Sequence, residues 1–258
     1  MSEEMSRRTV LALGTIAAGE LLLGEAAGAA PRKRRVLVWS EGSAPKNVYP
    51  KDINTAVAEG LKPLKNWEVV TASLSDADQG VPEESLKRTD VLIWWGHVRH
   101  GDVKDELVDR IVRRVKEEGM GFIALHSSHF SKALKKLLGT RCGFSEYVVD
   151  GSSVKVIVKD KKHPIAKGIQ DFTLEKTERY SEPFQVPQPE SVVFDGVYYR
   201  PDGSTEESRQ GLVWTVGKGK VFYFQPGHET YPHFFDKNVR QILRNAVVWA
   251  APRRETKA

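Results

Sequence analysis

The sequence predicts an α/β fold with a mostly parallel sheet and helices packed against it. Short apolar runs, typical of buried parallel strands, alternate with longer stretches in which apolar residues recur at helical spacing. This strand–helix order repeats through the first half of the chain and implies right-handed crossovers between parallel strands. With 258 residues, the chain is long enough to bury a substantial core.

The first half of the chain alternates in this way up to the strand that we expect at the centre of the sheet. Residues 52–64 and 103–118 have apolar residues on one helical face, which predicts two amphipathic helices. After the central strand, Ser127 or Ser128 is placed to cap a further helix that Gly139 ends. The strands are predicted at residues 36–39, 67–71, 89–95 and 121–125.

The pattern changes in the second half. Residues 141–215 contain short alternating runs broken by prolines, which predicts an irregular β-rich excursion that covers an edge or the top of the sheet. Residues 212–215 and 221–224 flank the glycines of residues 217–219 and predict a hairpin. Helical spacing over residues 236–250 predicts a last helix that closes the domain.

The N-terminus has the pattern of an export signal rather than of a folded element. Arg7 and Arg8 precede an apolar run at residues 10–23, which is too short to span a membrane, and small residues at 27–29 suit cleavage. We therefore predict a twin-arginine signal peptide over residues 1–30 and a periplasmic or extracellular mature protein without a membrane anchor. The remaining parts are a basic linker at 31–35, a domain at 36–251 and a polar tail at 252–258.

Charge and cysteine content exclude two classes of function. The formal net charge is +5 and the pI is near 9.1, but the excess of basic residues lies at the two termini. The globular part therefore has no basic face for a nucleic acid. Cys142 is the only cysteine, which excludes an internal disulfide and a cysteine-rich metal site.

Histidines indicate a functional site. Six of the seven histidines lie at or just past the ends of apolar strands, and the carboxyl ends of parallel strands form the edge where such folds bind ligands. Imidazole binds divalent metals, and three protein ligands with one open position are typical of catalytic zinc. His100 and His233 are equally compatible with exposed loops, and His163 with a turn before Pro164. The six are His97, His100, His126, His129, His228 and His233.

Carboxylates near the same edge complete the predicted site. Glu41 leaves the first strand there, and Glu229 follows the last strand. Glu178 and Glu182 flank Tyr180 in the excursion, from which they could close over the histidines. A solvated charged loop accounts for Glu178 slightly better than a site does, whereas Glu182 is the better site candidate.

A serine nucleophile is the alternative chemistry. Ser127 stands at a strand-to-helix turn, the position of an α/β-hydrolase nucleophile, and His228 with Glu229 could act as base and orienting group. The turn lacks the G-x-S-x-G pattern whose glycines allow such an elbow to form. The metal interpretation is therefore preferred.

Four separated motifs between about residues 35 and 251 are Trp94-Trp95-Gly96-His97 with His100, Leu125-His126-Ser127 with His129-Phe130-Ser131-Lys132, His163-Pro164-Ile165 with Gly168-Ile169, and Pro226-Gly227-His228-Glu229-Thr230-Tyr231-Pro232. Together they resemble the ThuA-like trehalose utilisation family. The resemblance implies the class I glutamine amidotransferase-like fold, a flavodoxin-like three-layer sandwich. In amidotransferases a cysteine nucleophile follows the central strand. Here that position falls on His126 or Ser127, which argues against amidotransfer.

The resemblance further implies that the substrates are disaccharides or glycosides oxidised to a ketone at carbon 3, held in a metal-containing pocket. Such a ketone acidifies the hydrogen on carbon 2 and allows β-elimination of the glycosidic oxygen, so we predict a metal-dependent lyase or hydrolase with zinc as the metal. A non-catalytic sugar-binding or accessory protein is the alternative, and a homo-oligomer is compatible with both functions. The predicted residues are His97, His129 and His228 for the metal, His126, Glu182 and Glu229 for catalysis, and Glu41, Trp95, His100, Tyr180 and Tyr231 for substrate binding.

Overall fold

A nine-stranded sheet runs through residues 32–253, the part of the chain that this computed structural model describes. The predicted signal peptide lies outside the described residues. The strands are β1 Arg34–Ser40, β2 Trp67–Ser73, β3 Val91–Trp95, β4 Gly121–Leu125, β5 Glu146–Val148, β6 Ser153–Val158, β7 Phe172–Leu174, β8 Arg179–Ser181, β9 Ser191–Tyr199, β10 Thr205–Val216 and β11 Gly219–Phe224. The α-helices are α1 Asp52–Leu61, α2 Glu83–Arg88, α3 Asp105–Glu118, α4 Lys132–Leu138 and α5 Lys237–Ala250.

The sheet has a parallel half and an antiparallel half. Its order is β2-β1-β3-β4-β11-β10-β9-β6-β7. In this spatial order, the five neighbouring strands β2, β1, β3, β4 and β11 pair in parallel. The strands from β11 onward, through β10, β9, β6 and β7, pair antiparallel. The predicted α/β fold with a parallel core is confirmed, as is the hairpin of β10 and β11. Most of the excursion widens the sheet instead of covering it, and β5 and β8 pair separately as a two-stranded sheet.

Helices on both faces give the three layers expected from the sequence. Alternate residues of β1 face opposite layers: Val36 and Val38 belong to the core that includes α1 and α5, whereas Leu37 and Trp39 belong to the core that includes α3 and α4. This alternation follows from the two-residue period of a strand. On the α3 side, the Trp39 and Trp94 rings stack with centroids 3.6 Å apart, so Trp94 is a core residue.

The C-terminal ends of α3 and α4 follow the expected glycine signals. In contrast, α1 ends at Leu61 instead of residue 64, α3 begins at Asp105 instead of residue 103, and α4 has a different cap from the one expected. Gly119 and Gly139 adopt left-handed φ values of 80° and 68° and end α3 and α4. The Oδ1 of Asp236 accepts from two backbone N–H groups at the start of α5. The cap of α4 is Ser131, not Ser127 or Ser128, because residues 126–130 form a 3-10 turn before the helix begins.

Among residues 32–253, no helix is long and apolar enough to cross a membrane.

Candidate functional site

Three histidines meet where three neighbouring parallel strands end. His97 follows β3, His126 follows β4 and His228 follows β11. The ring centroids of His97 and His126 each lie 5.4 Å from that of His228. The carboxyl edge of a parallel sheet therefore brings together histidines that are far apart in the chain.

All three imidazole rings are oriented through Nδ1. Each Nδ1 lies within hydrogen-bonding distance of an oxygen atom. The carbonyl of Gln225 can only accept, so His126 carries a proton on Nδ1, whereas the Nδ1 of His228 also accepts from the backbone N–H of Thr230 at 3.2 Å. The partners are Ser127 Oγ at 3.0 Å for His97, Gln225 O at 2.6 Å for His126, and Thr230 Oγ1 at 2.8 Å for His228. For His126, this is the tautomer and orientation that protein ligands of a metal usually have.

Two carboxylates face the Nε2 atoms. Glu178 Oε2 lies 2.9 Å from His126 Nε2 and 3.5 Å from His228 Nε2. Glu229 Oε1 lies 3.4 Å from His97 Nε2. Two sets of possible metal ligands therefore overlap at His228, one with His97 and Glu229 and the other with His126 and Glu178, and within each set the ligand atoms lie within 4.8 Å of one another.

Burial and nearby charges act in opposite directions on the pKa of Glu178. Burial would raise the pKa of Glu178, but the hydrogen bond to His126 and the charges of His126 and His228 lower it to about 2. Burial, with the nearby charge of His126, lowers the pKa of His228 to about 4. At neutral pH the site therefore presents an ionised carboxylate beside a neutral imidazole, the protonation states in which both bind a cation.

The turn that carries His126 is tight. His126 has a φ of 50°, the left-handed conformation uncommon for residues other than glycine. Gly227, on the facing loop, has a φ of 137°, and a Cβ there would lie 2.6 Å from Phe234. Glycine at this position therefore allows the His228 loop to approach the His126 turn.

Trp95 and Glu41, predicted to bind substrate, are instead buried supports of the site loops. Each is 1% exposed. Trp95 Nε1 donates to Gly227 O at 3.1 Å. Glu41 accepts from the backbone N–H groups of His97, Val98 and Arg99 at 2.8–3.1 Å. Because an ionised carboxylate with several N–H donors is well satisfied, Glu41 fixes the loop that carries His97.

His129 does not join the other histidines. Its Nδ1 lies 3.1 Å from His126 O, and its Nε2 is buried without a hydrogen-bond partner among the described residues. Burial lowers its pKa to about 3, so the ring is neutral. The sequence placed it with the metal ligands, but the 3-10 turn directs it into a cluster of rings formed by Phe130, Phe144, Tyr147, Tyr180, Phe184 and Tyr223.

Glu182 also lies apart from the histidines. Glu178, from the same segment, occupies the position beside them that was expected for Glu182. Arg209 holds both carboxylate oxygens of Glu182 at 2.8 Å. The side chains of Glu178 and Tyr180 instead reach His126, because alternate residues of an extended segment point the same way. The Tyr180 hydroxyl lies 2.9 Å from His126 Nε2, but Tyr180 is only 1% exposed and supports the imidazole rather than meeting substrate.

The intervening residue, Arg179, turns the other way and anchors this segment. Its guanidinium contacts the carboxylates of Glu146, Asp150 and Glu206 at 2.8–3.3 Å. These three acidic residues come from different parts of the excursion. Arg179 thereby fixes β8, and with it the position of Glu178.

The two remaining predicted substrate residues, Tyr231 and His100, differ in their contact with the cluster. Tyr231 is half-buried, and its ring centroid is 5.6 Å from that of His228. His100 packs near Phe130 and belongs to neither set of possible ligands; burial lowers its pKa to about 4. Tyr231 is therefore at the edge of the site, whereas His100 is not part of it.

A family model described as trehalose utilisation matches residues 35–250. The chain belongs to the ThuA family. No curated protein matches the chain significantly.

Solved structures agree with this ThuA assignment at the level of the fold. A ThuA-like protein from Bacteroides uniformis ATCC 8492 is 20% identical with a TM-score of 0.60, covering 88% of this chain and 95% of its own. A cytoplasmic protein from Salmonella typhimurium LT2 is 13% identical with a TM-score of 0.60, covering 84% and 99%. A glutamine amidotransferase from Thermotoga maritima is 14% identical with a TM-score of 0.50, covering 84% and 96%.

The fold is therefore of the class I glutamine amidotransferase type, as predicted. The residue directly after the central strand β4 in this ThuA protein is His126. Cys142, the only cysteine of the chain, is buried, and its Sγ lies within hydrogen-bonding distance of Thr140 Oγ1. It belongs to neither set of possible metal ligands.

Proposed function

We propose that this ThuA protein is a metal-dependent lyase or hydrolase that acts on 3-keto-glycosides or disaccharides, with zinc as the metal. Membership of a trehalose utilisation family supports a role in sugar utilisation. The observation that supports a metal site is the orientation of three histidines, each with Nδ1 beside an oxygen and Nε2 near a carboxylate.

Several possible donor atoms converge on one point. His126 Nε2 lies 2.9 Å from Glu178 Oε2, while its Nδ1 lies 2.6 Å from Gln225 O. A divalent ion bound between His126 Nε2 and Glu178 Oε2 would attract both atoms. Glu229 Oε2 is buried without a hydrogen-bond partner among the described residues, which is costly for a carboxylate.

His126, His228 and Glu178 would hold the ion, and His97 and Glu229 would flank it. Imidazole nitrogens with carboxylate oxygens suit zinc and related divalent metals. A bound divalent ion would act as a Lewis acid on the ketone oxygen of the substrate. His129 and Glu182 are not included, because each has other partners.

The chain's own groups would move the protons. Glu229, whose Oε2 has no hydrogen-bond partner among the described residues, would take the proton from carbon 2, and the bond from carbon 1 to the glycosidic oxygen would then break. His97 is the most exposed of the three histidines, with 25% of its side chain accessible, and would give a proton to the departing oxygen. Tyr180 and Ser127 would hold the imidazole rings in place.

Metal analysis tests this proposal. Protein purified without chelator is expected to contain close to one equivalent of metal and to cleave a 3-keto-glycoside, and chelation should abolish the cleavage. Protein that contains no metal, gains none on incubation with zinc, and binds sugar without cleaving it would instead be the non-catalytic sugar-binding alternative.

A further inference from the structure

A cavity with apolar walls and a few polar side chains lies beside the histidine cluster, between two loops that both lead to that cluster. Its volume is about 450 Å³, and its walls come from residues 173–176, 231–233 and 236. This volume is within the range of small-molecule sites. The first loop leads within two residues to Glu178, and the second begins three residues after His228.

The cavity and the histidine cluster share an aromatic wall. The Tyr231 ring is 5.6 Å from the His228 ring and 5.7 Å from the ring of His233, which lines the cavity. The Nε2 of His233 lies 2.7 Å from Lys176 O. Because this hydrogen bond joins the two loops, the cavity exists before any ligand binds.

The lining suits a neutral polyhydroxylated ligand. Thr173 and Lys176 can donate hydrogen bonds, Glu175 and Asp236 can accept them, and Tyr231 offers a ring face to the apolar side of a pyranose. Two carboxylates against one ammonium make the cavity mildly acidic. Since burial lowers the pKa of His233 to about 4, that residue adds no positive charge at neutral pH. The lining therefore lacks the cluster of cations that a phosphorylated sugar would require.

We propose that this cavity binds the second sugar ring of a disaccharide whose first ring lies over the His97–Glu229 face of the histidine cluster. The inference rests on the proposed function and specifies its substrate as an uncharged two-ring glycoside. Tyr231 is the boundary between the two ring positions. Lys176 contacts only the second ring.

Calorimetric binding of three probes to the metal-containing protein tests the assignment: trehalose, methyl α-glucoside and trehalose 6-phosphate. Trehalose is expected to bind about 10-fold more tightly than the single-ring glucoside, and the phosphate should give no further gain. Lys176→Ala removes the ammonium but keeps the backbone oxygen that His233 binds. It is expected to weaken trehalose binding about 10-fold and glucoside binding less than about 2-fold.

Tyr231→Leu is a second variant that keeps apolar bulk but removes the aromatic face, and it should also lower the preference for trehalose. Lys161→Ala, at an exposed lysine outside this cavity, is the matched control and should change neither affinity. If Lys176→Ala and Tyr231→Leu leave the preference for trehalose intact, the subsite is wrong while sugar binding stands. If the wild-type protein contains metal but binds none of the probes, the sugar function fails, and the subsite fails with it.

Discussion

His126 Nε2 and Glu178 Oε2 lie 2.9 Å apart, although 52 positions separate the two residues in the chain. The imidazole comes from the parallel half of the sheet and the carboxylate from the β-rich excursion. The side chain of His126 is inaccessible to solvent, and that of Glu178 is 11% exposed. The contact joins the two halves of the fold at the site and makes Glu178 a central residue of the proposed metal centre.

Glu178→Gln tests this role. The substitution keeps the shape and removes the charge, so we expect metal affinity to fall at least about 10–100-fold with the fold retained. Zinc competition with a chromophoric chelator measures the affinity, and circular dichroism monitors the fold. Glu182→Gln is the matched control, because its carboxylate binds Arg209, and it should keep wild-type affinity. If Glu182→Gln lost metal affinity and Glu178→Gln kept it, Glu182 and not Glu178 would belong to the metal site.

His129→Phe should keep the metal, because His129 lies among aromatic rings outside both sets of possible ligands. Phenylalanine has a similar shape and removes a buried nitrogen that has no partner. It also loses the contact with His126 O, and we expect the free energy of unfolding to change by less than about 1.5 kcal/mol. His228→Ala, measured in parallel for bound metal, should lose most of it. Metal loss in His129→Phe without loss of fold would show that His129 is a ligand.

Glu182 should contribute to stability in a pH-dependent way. Burial would raise its pKa, but Arg209 and the backbone N–H of Phe184 outweigh burial and lower the pKa below its ordinary value of 4.5. The stabilisation is therefore fully present above pH 4.5 and is lost as the pH falls through the folded-state pKa.

Urea unfolding of the wild type and of Glu182→Gln at several pH values measures this effect. At pH 7 the variant should be less stable by about 1 kcal/mol, a value reduced for the partial exposure of the pair. The difference should shrink below pH 4.5. Glu207→Gln is the control, because Glu207 is an exposed glutamate that lines one surface cavity together with Glu182. This variant should differ little from the wild type at any pH. A difference for Glu182→Gln that grows with acidity would contradict the assignment.

Export remains a proposal that rests on the sequence, because residues 1–31 lie outside the described part of the chain. Conversion of both Arg7 and Arg8 to lysine should leave uncleaved precursor in the cytoplasm, since the paired arginines are the signal that the twin-arginine route reads. Fractionation with antibody detection compares precursor and mature protein. Changing Arg32 and Arg34 to lysine, in the basic linker, is the control. Full export of the doubly substituted signal would exclude this route.

The sequence alone determined the order of strands and helices in the parallel half. Val36–Trp39 and Gly121–Leu125 are short apolar runs, and the helix after Val103 has a continuous apolar stripe. These patterns are local, since they follow from the periods of strands and helices. They made it an expectation that His97 and His126 meet at one edge of the sheet, and the parallel pairing of β11 with β4 in the structure added His228.

Only the tertiary structure decided which carboxylates and which supporting groups meet those histidines. Glu178 and Glu182 have the same spacing from Tyr180, so no periodicity distinguishes them; Arg209, from β10, binds one and leaves the other to His126. His129 likewise shares a turn with His126 but enters an aromatic cluster assembled from β5, β8 and β11. Contacts between residues far apart in the chain depend on how strands pair and turns tighten, and residue spacing does not encode those features.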